Sequence, residues 1–351
     1  MKPEYFLLPF GIALVGTPLV RYIAGKLNLY ARTGERMVHE GKIVRVGGIA
    51  VYLAFMIAIF MFVKIDRMII GMLIGASIIF FTGLIDDIFD IKPLVKLFMQ
   101  IVSALVVIYF GGINLDKFNL PFGLSITNEI ILDIVTFVWI IGVTNAINLI
   151  DGLDGLASGI CLIVLATLYI IAINFSGVGG LILAVILMGS ICGFLPFNFH
   201  PASIFLGDCG AYFLGFMMAC TTLMSFKSTA FITLLLPFSM LFVPLADSLL
   251  AIIRRKISRK KITDADKRHL HHVLMFDLNL GHQRTVLVLY GVSIIFGATA
   301  YLYRYDSNLG GVVLVSLIVL FEIFIEFTGM INSKYHPILS LFKWITKKKD
   351  E

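Results

Sequence analysis

The sequence predicts an all-α polytopic membrane protein with about eleven transmembrane helices, an N-terminus outside and a C-terminus in the cytoplasm. Three observations support this prediction. Hydrophobic residues make up 59% of the chain and charged residues only 14%, whereas about a quarter of the residues in soluble domains are charged. Apolar segments long enough to cross a bilayer recur along the chain. Basic residues concentrate in alternate connecting segments.

Roughly 20 apolar residues cross a bilayer as a helix, and the chain contains many such segments. They lie near residues 5–23, 46–64, 67–85, 94–112, 129–147, 156–175, 179–197, 211–226, 229–253, 285–303 and 310–328. Pro237 and Pro244 lie inside the ninth, and with the short connections between some spans they leave boundaries open by several residues. We expect the first to be retained as a span, because no clear small-residue cleavage site follows it. Together these spans form a single integral membrane domain, residues 1–351.

The distribution of Lys and Arg predicts the orientation. Of the 28 basic residues, 22 lie in segments that an outside N-terminus would place in the cytoplasm. The expected inner loops cover about residues 24–45, 86–93, 148–155, 198–210 and 254–284, and a basic tail covers about 329–351. The preference of Lys and Arg for cytoplasmic loops explains most of the basic residues in loop 254–284. A smaller share of these residues is available to attract anionic nucleotides and lipid headgroups. We therefore look for function on the inner face.

Three acids follow the third span directly. Asp86 and Asp90 are four residues apart, and Asp87 and Asp90 are three apart, so a helical continuation would place them on one face. Like charges at this spacing repel unless a cation or proton lies between them. A solvated helix end is the alternative. We favour a functional cluster, because acids at the end of an apolar span are costly.

A run of polar residues starts inside the fifth apolar segment. Asn145, Asn148, Asp151 and Asp154 recur at every third position, which predicts one slowly rotating stripe of a helix. Two glycines in the same run would let the backbone approach a ligand closely. The complete run is much more specific than an isolated pair of asparagines, and it predicts a binding site.

The third cluster surrounds Asp208, which lies between Gly207 and Gly210 just before another apolar span. This position suits a carboxylate aimed at a metal ion or a phosphate. An N-cap aspartate is the alternative reading.

The fourth cluster comprises His269, His271 and His272 in the basic loop. Histidine is a frequent zinc ligand, but no cysteine or fourth ligand stands at a fixed spacing nearby. Donation from the imidazoles to a phosphate is equally compatible with the pattern.

Other polar residues in apolar segments need less explanation. Glu322 and Glu326 lie four apart in the last span, where snorkelling, a structural pair and a functional pair all stay open. Interface anchoring suffices for Arg21 and Asp247. We expect the cysteines to be buried thiols rather than a disulfide framework: Cys161, Cys192, Cys209 and Cys220.

The location of the acids separates two classes of membrane protein. A proton or cation transporter would place acids near the bilayer midplane, but these lie at the ends of spans. Oxygen ligands beside a basic loop suit Mg²⁺ and a phosphorylated substrate, because the ion neutralises both partners. The sequence therefore favours an enzyme, with a transporter or flippase as the alternative.

The four motifs, in this order, resemble those of the polyprenyl-phosphate N-acetylhexosamine-1-phosphate transferase family. The resemblance covers nearly the whole chain, and residues 39–48 look like the family's first cytoplasmic loop. It implies a glycosyltransferase of the cell membrane with its active site facing the cytoplasm. Its substrates would be UDP-GlcNAc and undecaprenyl phosphate, its products undecaprenyl-diphospho-GlcNAc and UMP, and its cofactor Mg²⁺ or Mn²⁺. No nucleic-acid partner is expected, and a homodimer is left open.

The resemblance also implies roles for individual residues. Asp208 and Asn148 would ligate the metal. Asp86 and Asp87 would orient the lipid phosphate, and deprotonation by one of them or a covalent role both stay open. Asp151 and Asp154 would shape the nucleotide pocket. The remaining candidates would bind phosphates or the nucleotide: Lys42, Arg45, Asp90, Lys96, Asn145, His269, His271 and His272.

Two departures bear on the sugar donor. The branch of the family that transfers phospho-MurNAc-pentapeptide usually has a lysine where this chain has Asp90, and three contiguous histidines where this chain has His-Leu-His-His. Both departures favour GlcNAc-1-phosphate transfer in a cell-envelope polysaccharide pathway. Phospho-MurNAc-pentapeptide transfer is the alternative within the family.

Overall fold

The computed structural model of the protein describes residues 2–30, 43–119, 125–174, 180–226, 234–258, 268–331, 337, 338 and 340. These residues are almost entirely helical. The helices are α1 (Glu4–Lys26), α2 (Gly48–Phe62), α3 (Arg67–Phe89), α4 (Pro93–Leu105), α5 (Glu129–Ile150), α6 (Leu156–Asn174), α7 (Leu181–Asn198), α8 (Gly207–Phe226), α9 (Leu235–Met240), α10 (Phe242–Ile257), α11 (Leu270–His272), α12 (His282–Tyr305) and α13 (Ser307–Thr328). Short π-helical segments, Val106–Phe110 and Val273–Asp277, continue α4 and α11. Two strands of two residues each, β1 (Phe118–Asn119) and β2 (Ser125–Ile126), pair in antiparallel orientation.

In the part of the chain that the structure describes, each predicted span overlaps one helix, except that the ninth overlaps two. Within the described residues, nine helical stretches are long and apolar enough to cross a membrane. The helix α2 is shorter, with 15 residues, and the ninth predicted span is divided between α9 and α10. The prediction of an all-α, multi-pass membrane protein is confirmed.

The division of the ninth span follows from a proline. Pro244 has no N–H to donate to the carbonyl of Met240, so an uninterrupted helix would lose that hydrogen bond. The break falls at Leu241, and Pro244 then lies in the first turn of α10, where a helix needs no such donor.

Side-chain caps mark the start of three spans. Asp66, Asn128 and Asp306 precede α3, α5 and α13, and each accepts a hydrogen bond from a first-turn N–H. Such caps satisfy donors that have no partner inside the helix. The sequence therefore specifies these helix starts locally.

Helix α8 lies at the centre of the bundle, with α3 and α5 packed against it. A Cβ added at Gly83 of α3 would lie 2.5 Å from the carbonyl oxygen of Asp208, and one added at Gly215 would lie 2.8 Å from the backbone of Thr144. Small residues allow helices in membranes to approach this closely. The close packing brings the polar ends of α3, α5 and α8 together.

A short backbone pairing connects the segment before α2 with the segment before α8. The N–H of Phe205 donates to the carbonyl of Val44 at 2.9 Å, and the N–H of Gly47 donates to the carbonyl of Phe205 at 2.9 Å. This pairing places Arg45 beside the first turn of α8.

The structure corrects two expectations about local geometry. Helix α3 ends at Phe89, and Asp90 follows in the left-handed region with φ 60°, so the three acids do not continue along one helix face. Helix α5 ends at Ile150, so Asn145 and Asn148 lie on the helix, whereas Asp151 and Asp154 lie in the turn beyond it. Polar side chains that can bond to the backbone favour helix ends over continued helix.

Candidate active site

Charged side chains from four parts of the chain meet at the first turn of α8. Asp208 Oδ1 accepts a hydrogen bond from Arg45 Nη2 at 2.7 Å, and its Oδ2 lies 3.5 Å from Lys96 Nζ. Lys96 also forms an ion pair with Asp86 at the end of α3. The two cations therefore join carboxylates from α3 and α8, as the sequence-based hypothesis of converging carboxylates predicts.

Asp87 holds the N-terminus of α8. Its two carboxylate oxygens accept hydrogen bonds from the backbone N–H groups of Asp208 and Cys209, both at 2.9 Å. Its side chain is fully buried, and Arg45 Nε lies 3.3 Å away. A carboxylate at this position satisfies orphan N–H donors and interacts favourably with the helix dipole. Asp87 therefore positions Asp208 from another helix.

The turn into α8 requires a glycine. Gly207 has a φ of +77°, a conformation that residues with a side chain rarely adopt. An added Cβ would also collide with the carbonyl oxygen of Arg45 and approach Asp87 Oδ2. The absence of a side chain at Gly207 thus lets the segment of Arg45, the end of α3 and the start of α8 pack together beside Asp208.

Acidic groups outnumber cationic groups in this cluster. Burial opposes the charge of Arg45, but the nearby carboxylates, led by Asp208, raise its pKa above the ordinary value. Burial raises the pKa of Asp151 to about 8, and the negative charge of Asp208 adds to this effect. Among the residues described, four carboxyl groups face two cationic side chains. With a pKa of about 8, Asp151 holds a proton at neutral pH, and an additional cation could take the place of that proton.

The cluster contains oxygen donors suited to Mg²⁺. Asp208 supplies a carboxylate, and Asn148 lies beside it, with Asn148 Nδ2 3.4 Å from Asp208 Oδ1. A half-turn of this amide would present its oxygen instead of its nitrogen. Carboxylate and amide oxygens are ligands that Mg²⁺ accepts. The two residues predicted to bind metal are therefore neighbours with the required chemistry.

Asn145 lies one turn before Asn148 but forms a different contact. It exchanges two hydrogen bonds with Gln100 of α4, at 2.7 and 3.1 Å. This reciprocal amide pair joins α4 to α5 below Lys96. Gln100, which the sequence analysis missed, thereby fixes α4, which carries Lys96, to α5, which carries Asn148.

Asp154 lies in the turn after α5 and is 4% exposed. Its Oδ2 accepts a hydrogen bond from the Ala202 N–H at 3.1 Å and lies 2.8 Å from His200 Nδ1. The carboxylate therefore binds the turn after α5 to the segment that leads into α8.

His282 completes a group that resembles a metal site. One carboxylate oxygen of Asp154 and one ring nitrogen each of His200 and His282 lie within 4.8 Å of one another. However, the two rings are stacked, with centroids 4.1 Å apart and planes at 21°. An ion bound by an imidazole lies near the ring plane at about 2.1 Å, and two nearly parallel planes share no such point. In this arrangement the rings stack rather than share an ion.

Helix α12 holds the turn after α5 at two points. His282 Nε2 accepts a hydrogen bond from the Asp154 N–H at 3.0 Å, and the Tyr290 hydroxyl donates to the Gly155 carbonyl at 2.5 Å. Gly155 has a φ of +75°, which explains why glycine occupies this position. These contacts orient the turn that carries Asp151 and Asp154.

The histidine motif is anchored by Asp247. His269 Nδ1 lies 2.8 Å from Asp247 Oδ2, and the Leu270 N–H donates to Asp247 Oδ1 at 2.7 Å. Asp247 is fully buried. Interface anchoring is therefore the wrong explanation for Asp247, because its carboxylate faces the protein interior and holds a loop.

His271 connects this loop to the turn after α5. It is 2% exposed, and burial lowers its pKa to about 3, so its imidazole is neutral. Its ring contacts Gly152 so closely that a Cβ at that position would collide with Nε2. A neutral imidazole can donate a hydrogen bond but does not supply a positive charge.

The predicted site residues fall into three groups. Asp86, Asp87, Lys96, Arg45, Asn148 and Asp208 are brought together, and Asp151 lies close enough to feel their charges. Asp154, Asn145, His269 and His271 hold surrounding segments, and His272 packs against Phe276. Asp90 is exposed, and Lys42 lies outside the described residues.

Sequence reasoning missed Gln100, His282 and Tyr290, and it gave His200 no role. Each of the four belongs to a contact between residues at least 45 positions apart. His200 also stands close to the Asp208 motif in the sequence. The only local signal was a polar residue in or beside an apolar segment. Outside the site, Glu326 is buried and accepts a hydrogen bond from the Ile338 N–H, which favours a structural role.

Comparison with known proteins agrees with this arrangement. The profile of glycosyl transferase family 4 matches residues 69–226, which include α5, α8 and all but the first two residues of α3. A relative from Bacillus subtilis (strain 168), named "Probable undecaprenyl-phosphate N-acetylglucosaminyl 1-phosphate transferase", is 33% identical over 350 residues, covering 98% of this chain and 96% of the relative.

Two further relatives have related names. "Decaprenyl-phosphate N-acetylglucosaminephosphotransferase" from Mycobacterium leprae (strain TN) is 32% identical over 88% of this chain and 85% of its own. "Undecaprenyl-phosphate alpha-N-acetylglucosaminyl 1-phosphate transferase" from Thermotoga maritima is 30% identical over 80% of this chain and 84% of its own. With its near full-length similarity and a carboxylate site inside the matched region, the chain belongs to glycosyl transferase family 4.

Proposed function

We propose that the protein transfers N-acetylglucosamine 1-phosphate from UDP-GlcNAc to a polyprenyl phosphate, giving a polyprenyl-diphospho-GlcNAc and UMP. The observation that carries this proposal is the meeting of Asp86, Asp208, Arg45 and Lys96 at one end of the bundle. The names of three relatives, which give N-acetylglucosamine phosphate as the transferred group and a polyprenyl phosphate as the acceptor, support the proposal.

The reaction exchanges one phosphoanhydride bond for another. An oxygen of the lipid phosphate attacks the phosphorus that carries the sugar, and the bond from this phosphorus to the bridging oxygen breaks. UMP leaves with the bonding electrons. Because the bonds formed and broken are alike, catalysis depends on positioning the phosphates and compensating their charge.

Arg45 and Lys96 are suited to bind these phosphates. In the structure each contacts Asp208 and one further carboxylate, so each keeps a partner if Asp208 turns towards a metal ion. Arg45 presents a planar set of donors that matches phosphate oxygens, and Lys96 supplies a compact charge. Asp86 would hold Lys96 in place, and Asp87 would keep Asp208 at the start of α8.

Asp208 and Asn148 would hold Mg²⁺ or Mn²⁺. When bound, the ion would neutralise phosphate charge and polarise a phosphoryl oxygen. Asp151 would add a further carboxyl group beside the ion. The turn after α5 and the loop of His269 and His271 would border the nucleotide pocket, because Gly152 and His271 are in contact.

The site would face the cytoplasm of the cell membrane. The excess of Lys and Arg in alternate connecting segments supports this orientation, which places α3, α5 and α8 with their polar ends inside. Cytoplasmic UDP-GlcNAc could then reach the site directly.

A transfer assay tests the proposal. Purified protein is incubated with Mg²⁺, undecaprenyl phosphate and UDP-GlcNAc labelled in the sugar, and both lipid-linked label and UMP are measured. We expect equal amounts of the two products, no product with EDTA and recovery after excess Mg²⁺ is added. Preference for UDP-MurNAc-pentapeptide would replace the proposed donor, and absence of transfer from either donor would reject the proposal.

A further inference from the structure

His282, at the start of α12, uses one ring nitrogen as a hydrogen-bond acceptor. Its Nε2 accepts from the Asp154 N–H at 3.0 Å, and its side chain is only 7% exposed. A ring nitrogen that accepts a hydrogen bond must carry a lone pair, so this contact requires a neutral imidazole with its proton on Nδ1. The contact between α12 and the turn after α5 therefore depends on the protonation state of one side chain.

Protonation of His282 at Nε2 would break this contact. The new N–H would point at the Asp154 N–H across 3.0 Å, where neither group can accept. The Oδ2 atom of Asp154 lies 3.9 Å from Nε2, which is beyond hydrogen-bond distance. That oxygen also accepts from the Ala202 N–H and contacts His200 Nδ1. Either the imidazole ring or the turn must then move.

The charged and titratable groups around His282 belong to the turn after α5, the segment before α8, the histidine loop and α12 itself: Asp154, His200, His271, Asp277 and Arg284. Burial lowers the pKa of His271 to about 3, so its ring adds no charge. Asp277 and Arg284 are exposed, and solvent screens them. The Asp154 carboxylate favours a charge on His282, whereas the stacked His200 ring, 4.1 Å away, opposes it once His200 itself is charged.

The same turn borders the proposed nucleotide pocket. Tyr290 holds the Gly155 carbonyl, and Gly152 contacts His271. The hydrogen bond from the Asp154 N–H fixes the backbone between these two points. Without it, the turn could shift relative to the histidine loop, and small losses of positioning weaken a binding site strongly.

We propose that His282 is a positioning residue for the nucleotide sugar, and that its neutral form holds the turn after α5 in the conformation that binds UDP-GlcNAc. Protonation of His282 releases the turn and weakens binding of this donor. This role rests on the proposed function, because it concerns the donor substrate of that reaction.

Equilibrium binding of radiolabelled UDP-GlcNAc to the purified full-length protein, with Mg²⁺ and without a lipid acceptor, tests the proposal. His282→Gln places an amide oxygen near the position of Nε2, where it can accept from the Asp154 N–H without titrating. As the pH falls from about 8 to about 5.5, Kd should rise at least about fivefold more for wild-type protein than for His282→Gln, the scale of one lost hydrogen bond. The comparison of the two proteins removes the contribution of Asp151 and other groups that titrate in both.

Two further variants separate positioning from shape. His282→Phe keeps a ring but has no acceptor, so its Kd at about pH 8 should exceed that of His282→Gln at least about fivefold. His200→Asn removes the neighbouring titratable ring, and its amide can still donate to Asp154 Oδ2. This variant should keep the steeper pH dependence of the wild-type protein.

Hydrogen–deuterium exchange gives a readout that needs no nucleotide. At about pH 5.5 the peptide that contains Asp154 should exchange faster in wild-type protein than in His282→Gln, and at about pH 8 the two should agree.

The outcomes distinguish this role from the proposed function. The same pH dependence of Kd in wild-type protein and His282→Gln would overturn the proposal, and so would equal exchange at about pH 5.5 or equal Kd for His282→Gln and His282→Phe. Loss of the steeper pH dependence in His200→Asn would assign it to His200 instead. Failure of wild-type protein to bind UDP-GlcNAc at any pH would reject the proposed function, and the role of His282 with it.

Discussion

Two kinds of buried or half-buried carboxylate lie at the same end of this bundle. Asp208 is paired with the flexible cations Arg45 and Lys96, and Asp86 is paired with Lys96 through Oδ2 while its Oδ1 accepts a hydrogen bond from the Ile91 N–H. By contrast, Asp154 and Asp247 each accept a hydrogen bond from one backbone N–H and lie 2.8 Å from a histidine nitrogen. Flexible cations can move to an arriving phosphate, whereas a backbone N–H cannot leave its carboxylate without unfolding. The first pair is therefore suited to catalysis and the second to support.

Asp87 combines features of both kinds. It lies in the catalytic cluster and near Arg45, but its two oxygens bind backbone N–H groups of α8. The comparison predicts that its replacement will affect stability, in contrast to replacement of Asp208.

The largest effect on activity is expected for Asp208→Asn. The loss of one ligand carboxylate should lower kcat at least a hundredfold, about 3 kcal/mol of barrier, in the transfer assay. The thermal midpoint should change little, because Arg45 keeps Asp87 and Lys96 keeps Asp86 as partners. Asp133→Asn, a matched change on α5 away from the cluster, should leave activity intact. Normal turnover in Asp208→Asn would remove this residue from the proposed metal site.

The second prediction concerns Asp87→Asn. An amide has one acceptor oxygen, so one of the two N–H groups at the start of α8 would lose its partner. Loss of a helix cap costs about 1–2 kcal/mol, and the thermal midpoint should fall accordingly. Activity should also fall, because Asp208 loses its support. A thermal midpoint equal to that of Asp208→Asn would contradict the distinction between the two carboxylates.

The third prediction concerns Gly152→Ala. The new methyl group would collide with the ring of neutral His271, so the turn after α5 must shift away from the histidine loop. We expect KM for UDP-GlcNAc to increase about tenfold or more, as loss of positioning often costs on that scale. KM for the lipid acceptor should change less. Equal increases for both substrates would contradict the location of the nucleotide pocket at this turn.

The smallest effect is expected for Tyr290→Phe. This change removes one hydrogen bond to the Gly155 carbonyl, worth about 1 kcal/mol, while the ring remains packed. KM for UDP-GlcNAc should rise severalfold. Tyr305→Phe on the same helix is the control, because Tyr305 is 75% exposed. Indistinguishable kinetics of the two variants would show that the contact with α12 does not position the turn.

The sequence predicted the helices well because apolar length and hydrophobicity are local properties. The ninth span was predicted as one segment, although Pro237 and Pro244 left its boundaries open, and the structure divides it between α9 and α10. Local pattern also drew attention to Asp86, Asn148 and Asp208. Pattern could not reveal that Asp87 caps a helix 121 positions later in the chain, or that Arg45 contacts Asp208 163 positions away.

The supporting residues were hardest to predict from sequence. Asp247 stands in an apolar segment near basic residues, a setting in which anchoring at the membrane interface is a sufficient explanation. Its contact with His269 depends on how α10 and the following loop fold together. His282 and Tyr290 likewise gain their roles only from the packing of α12 against the turn after α5.

The central claim is that Asp208 and its neighbours hold a divalent ion beside the substrate phosphates. Electron paramagnetic resonance of Mn²⁺ added to the purified full-length protein tests this claim directly, because bound and free Mn²⁺ give different signals. In the presence of UDP-GlcNAc we expect wild-type protein and Asp133→Asn to bind Mn²⁺ equally, and Asp208→Asn to bind at least tenfold more weakly. Equal Mn²⁺ binding by a correctly folded Asp208→Asn variant would contradict the claim.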